Sequence, residues 1–341
     1  MPTFSDIETS YVQRYAADVQ HALQQKTTRL RNAVSQKLDC SGIAEFFYRI
    51  GNAAAENKNA RFADSPVQSI AHQRRRVTAR PYHAGFFVEG FDQRRMNYDV
   101  FQPYAEATSM AMARKMDEII VDAAFGSAYQ SEGGAMDGAT EVVWASDSVA
   151  TTLSGTTIGD QFIPATFKYA SGTAEPRTSG VATNADFPLT IDKLLRARRI
   201  LAQNEADQYD EGGNPLFTIV CSQAQIEAML HLEAVQSVDY NNLRALVEGQ
   251  TNYFAGFQFI RYEKLPVLDN TNGMSHASNA GEKVLAFHPL GLALCVWMDP
   301  ITKIEPRADK SFTPYAYFEM DMGAVRVWEE MVVQIDCLKV A

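Results

Sequence analysis

The fold is decided by a stretch that begins at Phe101, ends at Gly126 and reads FQPYAEATSMAMARKMDEIIVDAAFG. Pro103 stands where a helix can begin, because the first helical turn does not need the N–H that proline lacks. Apolar residues then recur at helical spacing along one side: Met112, Met116, Ile119, Ile120 and Ala123. Gly126 ends the pattern. The stretch therefore predicts one helix over 103–126, about 36 Å long.

Upstream of this helix lies a basic limb, residues 61–100, which has seven arginines and no lysine against four acidic residues. Alternating residues around Pro81 and Gly85 predict a long two-stranded β-excursion. A lone hairpin is marginal in water, so we expect the limb to pack on another surface. A positive limb on a negative chain favours contact between copies. The candidate inter-subunit contact residues are Arg74, Arg75, Arg76, Arg80, Arg94 and Arg95.

Two other interpretations of this limb remain open. It can be a solvated basic loop, or the run from Arg74 to Arg76 can touch nucleic acid. Against nucleic acid, the run has no interleaved aromatic residues on which bases could stack. Pairing with an acidic surface on another copy explains the arginines equally well, and we favour it.

Composition limits the class of protein. An apolar fraction of 46% and an aromatic fraction of 11% over 341 residues indicate a folded chain with room for two domains. The net charge of −10 argues against a general nucleic-acid-binding protein. No run is long and apolar enough for a membrane span, and we expect neither a signal peptide nor a membrane partner. The four widely spaced cysteines fit a reducing cytoplasm.

The segments on either side of the basic limb and its helix have weaker patterns. Apolar residues from Ile7 to Val34 recur at spacings of three, four and seven, which predicts a helix over 7–37. Residues 42–60 predict a loop or a short helix. Residues 127–187 are rich in Gly, Ser, Thr and Ala, so they predict a loop-rich β-insertion or a segment that orders only on assembly.

From residue 188 onward helix and strand patterns alternate, and the predicted fold class is α+β. Thr190 opens a helix through Ala202, and Ser222 caps a second helix with Gln225 in the capping-box position. Strands are predicted at 217–221, 253–261 around a kink at 255–256, 284–287 and 292–298, and 301–305 is predicted to continue the last of these past Pro300. Two antiparallel strands, 316–320 and 324–336, are predicted to join at a turn over 321–323.

Motifs that carry chemistry are missing from the sequence. It contains no GxxxxGK[ST] loop, no GxGxxG after a strand and no GxSxG elbow. The histidines do not have metal-ligand spacing. Glu329 and Glu330 are predicted on neighbouring strand positions, which point to opposite faces. We predict no catalytic, cofactor-binding or metal-binding residue. An ordinary cytoplasmic α/β enzyme is the alternative, and it would need a concave site with perturbed acids or bases.

Several phrases, in this order, resemble one known family. They are the N-terminal SYVQRYAADVQHALQQKTTRLR, the passage from FQPY to Phe125-Gly126, the 194–206 helix with FTIVCS and QAQIEAML, and NYFAGFQFI with EKLP at 263–266. The order resembles that of the major capsid proteins of tailed bacteriophages, which have the Hong Kong 97-type fold, and it covers nearly the whole chain.

The resemblance implies a division of the chain. Residues 1–60 would be an N-terminal helical arm, 61–100 an extended β-loop over a neighbouring subunit, and 101–130 the spine helix of the peripheral domain. Residues 131–187 would be the loop-rich insertion, 188–295 the axial domain, and 296–341 the C-terminal antiparallel strands of the peripheral domain.

The resemblance also implies a function and partners. Copies would form hexamers and pentamers of an icosahedral shell, assembled in the bacterial host cytoplasm, that encloses double-stranded DNA with non-specific contacts. No lysine occurs from 61 to 114, so the loop cannot supply a lysine for an isopeptide cross-link. No long charged helical prosegment precedes the arm, so we expect a separate scaffold protein. The portal is the other expected partner. The second hypothesis is an encapsulin-like compartment with the same fold.

Overall fold

A computed structural model describes residues 25–53, 55, 57–58, 61, 67–95, 101–131, 140–142, 161–165, 167, 187–204, 217–230, 253–268 and 281–339. The α-helices in these residues are α1 (Gly90–Arg95), α2 (Phe101–Phe125), α3 (Ile191–Gln203) and α4 (Gln223–Leu230). The strands are β1 (Ser35–Lys37), β2 (Ala44–Ile50), β3 (His72–Thr78), β4 (Arg80–Phe87), β5 (Ala128–Ser131), β6 (Thr140–Val142), β7 (Phe162–Ile163), β8 (Phe217–Cys221), β9 (Tyr253–Phe254), β10 (Phe257–Arg261), β11 (Val267–Leu268), β12 (Gly281–Phe287), β13 (Leu292–Arg307), β14 (Thr313–Arg326) and β15 (Val332–Leu338).

These strands form three sheets, and the predicted α+β class is confirmed. A seven-stranded sheet has the order β7-β15-β12-β8-β10-β9, with β11 paired to β12. A four-stranded sheet has the order β2-β3-β5-β6, and we call it the arginine sheet because β3 carries Arg74, Arg75 and Arg76. Another four-stranded sheet, β1-β13-β14-β4, contains the two longest strands described.

The chain divides into two compact units. The first is made of Met1–Thr27, Pro81–Lys115 and Met298–Asp321. In its described part, aromatic rings from α2, β4 and β14 pack together. The ring centroid of Phe86 lies 5.5 Å from that of Tyr104 and 6.3 Å from that of Phe318. Such edge-to-face and offset contacts add to the apolar area that the rings bury.

The second unit is made of Thr28–Arg80, Met116–Trp297 and Met322–Ala341, and its largest element is the seven-stranded sheet. Every residue of β8 is buried, as expected for a strand covered on both faces. Helix α3 buries one apolar stripe: Leu194, Ala197, Ile200 and Leu201. Its buried Lys193 donates from Nζ to the carbonyl oxygens of Phe187 at 2.7 Å and Asp336 at 2.8 Å. This sheet and α3 form the main core of the unit.

Elements with strong local signals lie where they are predicted. Helix α2 spans Phe101–Phe125, against the predicted 103–126. Thr190 caps α3, because its side-chain oxygen accepts from the Lys193 backbone N–H at 3.4 Å. Strand β8 matches the predicted 217–221, and β13 continues through Pro300 as predicted.

The first three corrections concern the N-terminal half. The predicted helix over 7–37 is wrong in its described part, where Arg31–Ala33 form a single 3₁₀ turn and β1 follows, and residues 7–24 lie outside the described residues. The buried carboxylate of Asp117 accepts from the backbone N–H groups of Arg29 (2.9 Å) and Leu30 (3.1 Å). Long-range contacts therefore override the local periodicity. Residues 42–60, predicted as loop or short helix, contain strand β2. Finally, β3 and β4 are not a hairpin, because they belong to different sheets.

The remaining corrections concern the C-terminal half. Tyr253–Arg261 is a tight hairpin rather than a kinked strand, since Ala255 and Gly256 both have positive φ. Gln225 does not complete a capping box. Its side chain accepts from the Leu189 N–H at 2.8 Å and donates to the Leu338 carbonyl at 2.9 Å. The carboxylate of Glu263 instead accepts from the first N–H of α4, that of Gln223, at 2.9 Å.

The predicted turn over 321–323 is also wrong, because β14 runs straight through it. Gly323 is needed for a close approach between strands rather than for a turn. A Cβ at this position would lie 2.5 Å from the Thr78 carbonyl oxygen and 2.8 Å from Val77 Cγ1. Glycine therefore lets β14 pass against the end of β3.

Candidate assembly interface

The arginine sheet has two chemically different faces. In its register Tyr48 lies opposite Arg74, Phe47 opposite Arg75 and Phe46 opposite Arg76. Because successive side chains of a strand point to opposite faces, Arg75 projects to one side of the sheet, and Arg74 and Arg76 project to the other. Val77 shares the face of Arg75 and is buried. The side of Arg75 is therefore the inner face, and the side of Arg74 and Arg76 is the outer face.

On the inner face three arginines converge on two glutamates, and we call Arg49, Arg75, Arg326, Glu329 and Glu330 the buried arginine cluster. Glu329 receives most contacts: Arg75 Nη2 lies 2.5 Å from Oε1, Arg49 Nη1 3.1 Å from Oε2, and Arg326 Nε 3.6 Å from Oε1. Arg49 Nη2 also lies 3.6 Å from Glu330 Oε2. All five residues are buried. The cluster ties β2, β3 and the end of β14 to the turn that follows β14.

Local backbone geometry explains why two consecutive glutamates reach one arginine. Glu329–Met331 form a 3₁₀ turn between β14 and β15, so the strand alternation predicted for Glu329 and Glu330 does not apply there. The ring of Trp328 lies 4.4 Å from the Arg49 guanidinium carbon, a cation–π contact. The prediction that these carboxylates point to opposite faces is therefore wrong.

Arg326 also connects the cluster to the long helix. Its Nη1 donates to the carbonyl oxygens of Ala124 at 2.8 Å and Gly126 at 2.9 Å, at the C-terminal end of α2. Those carbonyls have no partner within the helix, and a positive charge there complements the helix dipole. Burial lowers the pKa of Arg326 to about 10, while Glu329 opposes that shift. The guanidinium therefore stays charged at neutral pH and holds the helix end to β14.

Burial also lowers the pKa of Arg75, and the nearby charge of Glu329 opposes the shift. The predicted role of Arg75 as an inter-subunit contact needs correction, because its side chain is inside its own subunit and paired there. Desolvation makes an unpaired buried guanidinium costly, so the cluster depends on its two carboxylates. The inner face is a structural lock rather than a contact surface.

The outer face combines arginines with aromatic rings. Arg74 lies 5.0 Å from the ring of Phe46 and 6.0 Å from that of Tyr48, and Arg76 lies 5.5 Å from that of Tyr129. Tyr48 is 75% exposed, so this is a surface rather than a core. The sequence run has no interleaved aromatics, but strand pairing supplies them from β2 and β5. Tyrosine and arginine are residue types that are enriched in protein–protein interfaces and in their hot spots.

The other predicted contact residues are exposed. Arg80 begins β4, and Arg94 and Arg95 end helix α1. Sequence reasoning missed Arg49, Arg326 and the pairing role of Glu329, whose partners lie 280 and 254 residues away in the chain. The one available signal was the position of Val77 two residues after Arg75, which places both on the same, buried face.

The described ranges hold no cluster of side chains suited to metal binding. Within them, no three His, Cys, Asp or Glu side chains converge as metal ligands would. His288 is buried, and burial lowers its pKa. Its Nδ1 accepts from the Leu290 N–H at 3.3 Å, so this ring holds the turn before β13. Among the same residues, no helix is long and apolar enough to cross a membrane.

Comparison with solved structures identifies the fold. The capsid of Ralstonia phage GP4 matches with a TM-score of 0.68 at 10% identity, over 97% of this chain and 96% of that chain. The capsid asymmetric unit of cyanophage Pam1 matches with a TM-score of 0.68 at 12% identity, over 99% of both. The capsid of cyanophage P-SCSP1u matches with a TM-score of 0.65 at 15% identity, over 98% and 95%. The fold is that of the subunits in these phage capsids.

Sequence comparison then gives the family. The model of the phage capsid protein family matches residues 7–339, and this chain belongs to that family. It is a major capsid protein, and its family is a structural one. A search of curated proteins finds no match.

Proposed function

We propose that this capsid protein self-assembles into hexamers and pentamers of an icosahedral phage head that encloses double-stranded DNA. The observation that carries the proposal is the family match over residues 7–339. It is supported by fold matches that cover 95% or more of both chains in the cyanophage and Ralstonia phage capsids. The role is structural and uses no catalytic residue or cofactor. The protein would act in the virion after assembly in the bacterial host cytoplasm.

In this proposal the parts of the fold have separate tasks. Helix α2 would be the spine of a peripheral domain of Hong Kong 97 type, and the long strands β13 and β14 would complete that domain. Residues 188–295, which contain α3, α4 and most strands of the seven-stranded sheet, would be the axial domain around capsomer centres. Residues 61–100 would reach a neighbouring subunit. The insertion over 131–187, most of which lies outside the described residues, would add contacts between copies.

The outer face of the arginine sheet is the proposed contact with another copy. Its guanidiniums face outward on a chain whose net charge is −10, so acidic surface on a second copy is an abundant partner. Arg80, Arg94 and Arg95 are proposed to join such contacts because they are exposed. A closed shell repeats each weak pair many times, so modest contacts add up.

The partners beyond the chain itself are a separate scaffold protein, a portal and packaged double-stranded DNA, which would be held without sequence specificity. An encapsulin-like compartment is the competing function of the same fold. The contents of purified particles separate the two, because packaged nucleic acid indicates a phage head and packaged enzyme cargo indicates a compartment.

Reversing the outer-face charges tests the proposed contact. The double variant Arg74→Glu, Arg76→Glu is expected to lower the yield of closed particles by at least about tenfold, because like charges would then meet across the contact. The subunit should keep its circular dichroism and its unfolding midpoint, since both side chains are on the solvent side of the sheet.

The matched control is Arg74→Lys, Arg76→Lys, which keeps the charge and loses the planar guanidinium. It is expected to assemble, with greater sensitivity to salt. Particle yield is measured by sedimentation and counted by electron microscopy. A charge-reversed variant that forms normal particles at the normal yield would show that this face is not an assembly contact.

A further inference from the structure

Two of the four cysteines lie together in one small core. Cys40 and Cys295 belong to a buried cluster with Val77, Ala128 and Ala293, between the arginine sheet and the start of β13. The other two, Cys221 on β8 and Cys337 on β15, lie in the seven-stranded sheet. All four are free thiols. The first pair is of interest because residues 255 positions apart in the sequence belong to the same buried cluster.

The backbone fixes this pair from both sides. Strand β1 runs parallel to β13 with Lys37 opposite Cys295. The chain then turns at Asp39, whose φ is +56°, and the N–H of Cys40 donates to the Val296 carbonyl at 3.2 Å. The Cys40 thiol donates to the carbonyl of Lys37 at 3.3 Å, which directs the sulfur back toward the residue that faces Cys295.

The two thiols also influence each other electrostatically. Burial, and then the neighbouring Cys40, raise the pKa of the Cys295 thiol. Cys295 is fully buried, whereas Cys40 is 8% exposed. Cys40 is therefore the more accessible of the two residues, and burial favours the neutral thiol of Cys295.

We propose that Cys40 and Cys295 form a dithiol modification site that a peroxide converts into an intramolecular disulfide. The Cys40 thiolate attacks one peroxide oxygen, and the O–O bond breaks. The hydroxide that leaves takes up the proton that Cys40 gave up, which makes one water. Cys40 is then a sulfenic acid. The sulfur of Cys295 attacks the sulfur of Cys40, the S–O bond breaks, and a second water leaves with the Cys295 proton. Hydrogen peroxide is thus reduced to two waters, and the two thiols are oxidised to one disulfide.

The bond would join the segment before β2 to β13 through a covalent link between distant parts of the chain. Cross-links that close long loops restrict the unfolded chain, so the oxidised subunit should be the more stable form. The biological role of this bond rests on the proposed function. Subunits of a phage head would fold as dithiols in the reducing cytoplasm. They would become linked once the particle is outside the cell.

Peptide mapping of the full-length soluble subunit tests the proposal. The reduced protein is treated with hydrogen peroxide, free thiols are alkylated in denaturant, and peptides are analysed by mass spectrometry without reduction. The expected product is a peptide pair that joins Cys40 to Cys295 and disappears on reduction. Cys295→Ala should abolish the pair and leave Cys40 as a sulfenic or higher acid. Cys221→Ala, the matched control in the other sheet, should retain it.

Thermal unfolding gives an independent reading. Peroxide should raise the unfolding midpoint by roughly 5 °C in the unmodified sequence and in Cys221→Ala, and not in Cys295→Ala. If peroxide leaves both Cys40 and Cys295 alkylatable, or links either to a different cysteine, the proposal is wrong. Should Cys295→Ala not fold, the map of the unmodified sequence decides. The assay needs no particles, so its result is independent of whether the subunit forms a shell.

Discussion

Replacing Glu329 with glutamine is expected to lower the free energy of unfolding of the subunit by roughly 3–5 kcal/mol. Glutamine keeps the shape of the side chain and removes its charge. Arg49, Arg75 and Arg326 would then share only the carboxylate of Glu330, which is 3.6 Å from Arg49. Buried guanidiniums without a counter-charge are strongly unfavourable, because neither water nor a carboxylate solvates them.

The matched control is Glu45→Gln on β2, which removes a carboxylate that pairs with Lys37 at 2.6 Å. The Lys37 side chain is 45% exposed, so this loss should cost less than about 1 kcal/mol. Denaturant unfolding followed by tryptophan fluorescence measures both, since Trp328 lies against Arg49. Equal losses in the two variants would contradict the role assigned to the cluster.

A double-mutant cycle separates the coupling between Arg75 and Glu329 in the buried arginine cluster from the general destabilisation caused by each substitution. Arg75→Met alone should be strongly destabilising, because it leaves Glu329 without its 2.5 Å partner. In the Glu329→Gln background the same change should cost much less, since the charge it removes has already lost its counter-charge. The same denaturant unfolding experiment measures this coupling between Arg75 and Glu329.

The second large effect is expected from Gly323→Ala, which should destabilise the subunit by roughly 1–3 kcal/mol. The added Cβ would overlap the backbone carbonyl of Thr78, at 2.5 Å, and Val77 Cγ1, at 2.8 Å. A backbone atom cannot rotate away as a side chain can, so β14 and the end of β3 must separate.

Gly90→Ala is the control for this substitution, because a Cβ at Gly90 meets nothing within 4 Å. Its effect should stay within about 0.5 kcal/mol. Chemical denaturation of the two variants decides the matter. An effect at Gly323 no greater than that at Gly90 would show that the strands are not packed as described.

What the sequence predicts well is what local chemistry determines. Helix α2 is predicted from Pro103 and Gly126 near its ends, and α3 is predicted from the Thr190 cap. These signals are readable in the sequence because they act within a few residues. Strand β8 is recognisable as an unbroken apolar run between turn signals. The family resemblance rested on the order of such elements, and the family match over residues 7–339 confirms it.

What the sequence does not predict depends on partners far away in the chain. Residues 29 and 30 leave the helical pattern because Asp117 accepts their N–H groups, 88 and 87 positions later. Gly323 looks like a turn residue until Thr78 is known to lie against it. The arginine run shows both what local pattern predicts and what depends on distant partners. Period-2 alternation separates Arg75 from Arg74 and Arg76, but only strand pairing shows that aromatic rings from β2 and β5 stand beside the outer two.

Electron microscopy of the negatively stained protein, expressed alone and together with its neighbouring genes, tests the central claim most directly. A shell subunit is expected to form closed or malformed shells, tubes or rings, because its contacts are made between identical copies. Particle diameter would then begin to define the geometry of the shell. A monodisperse small oligomer under all conditions would contradict the account.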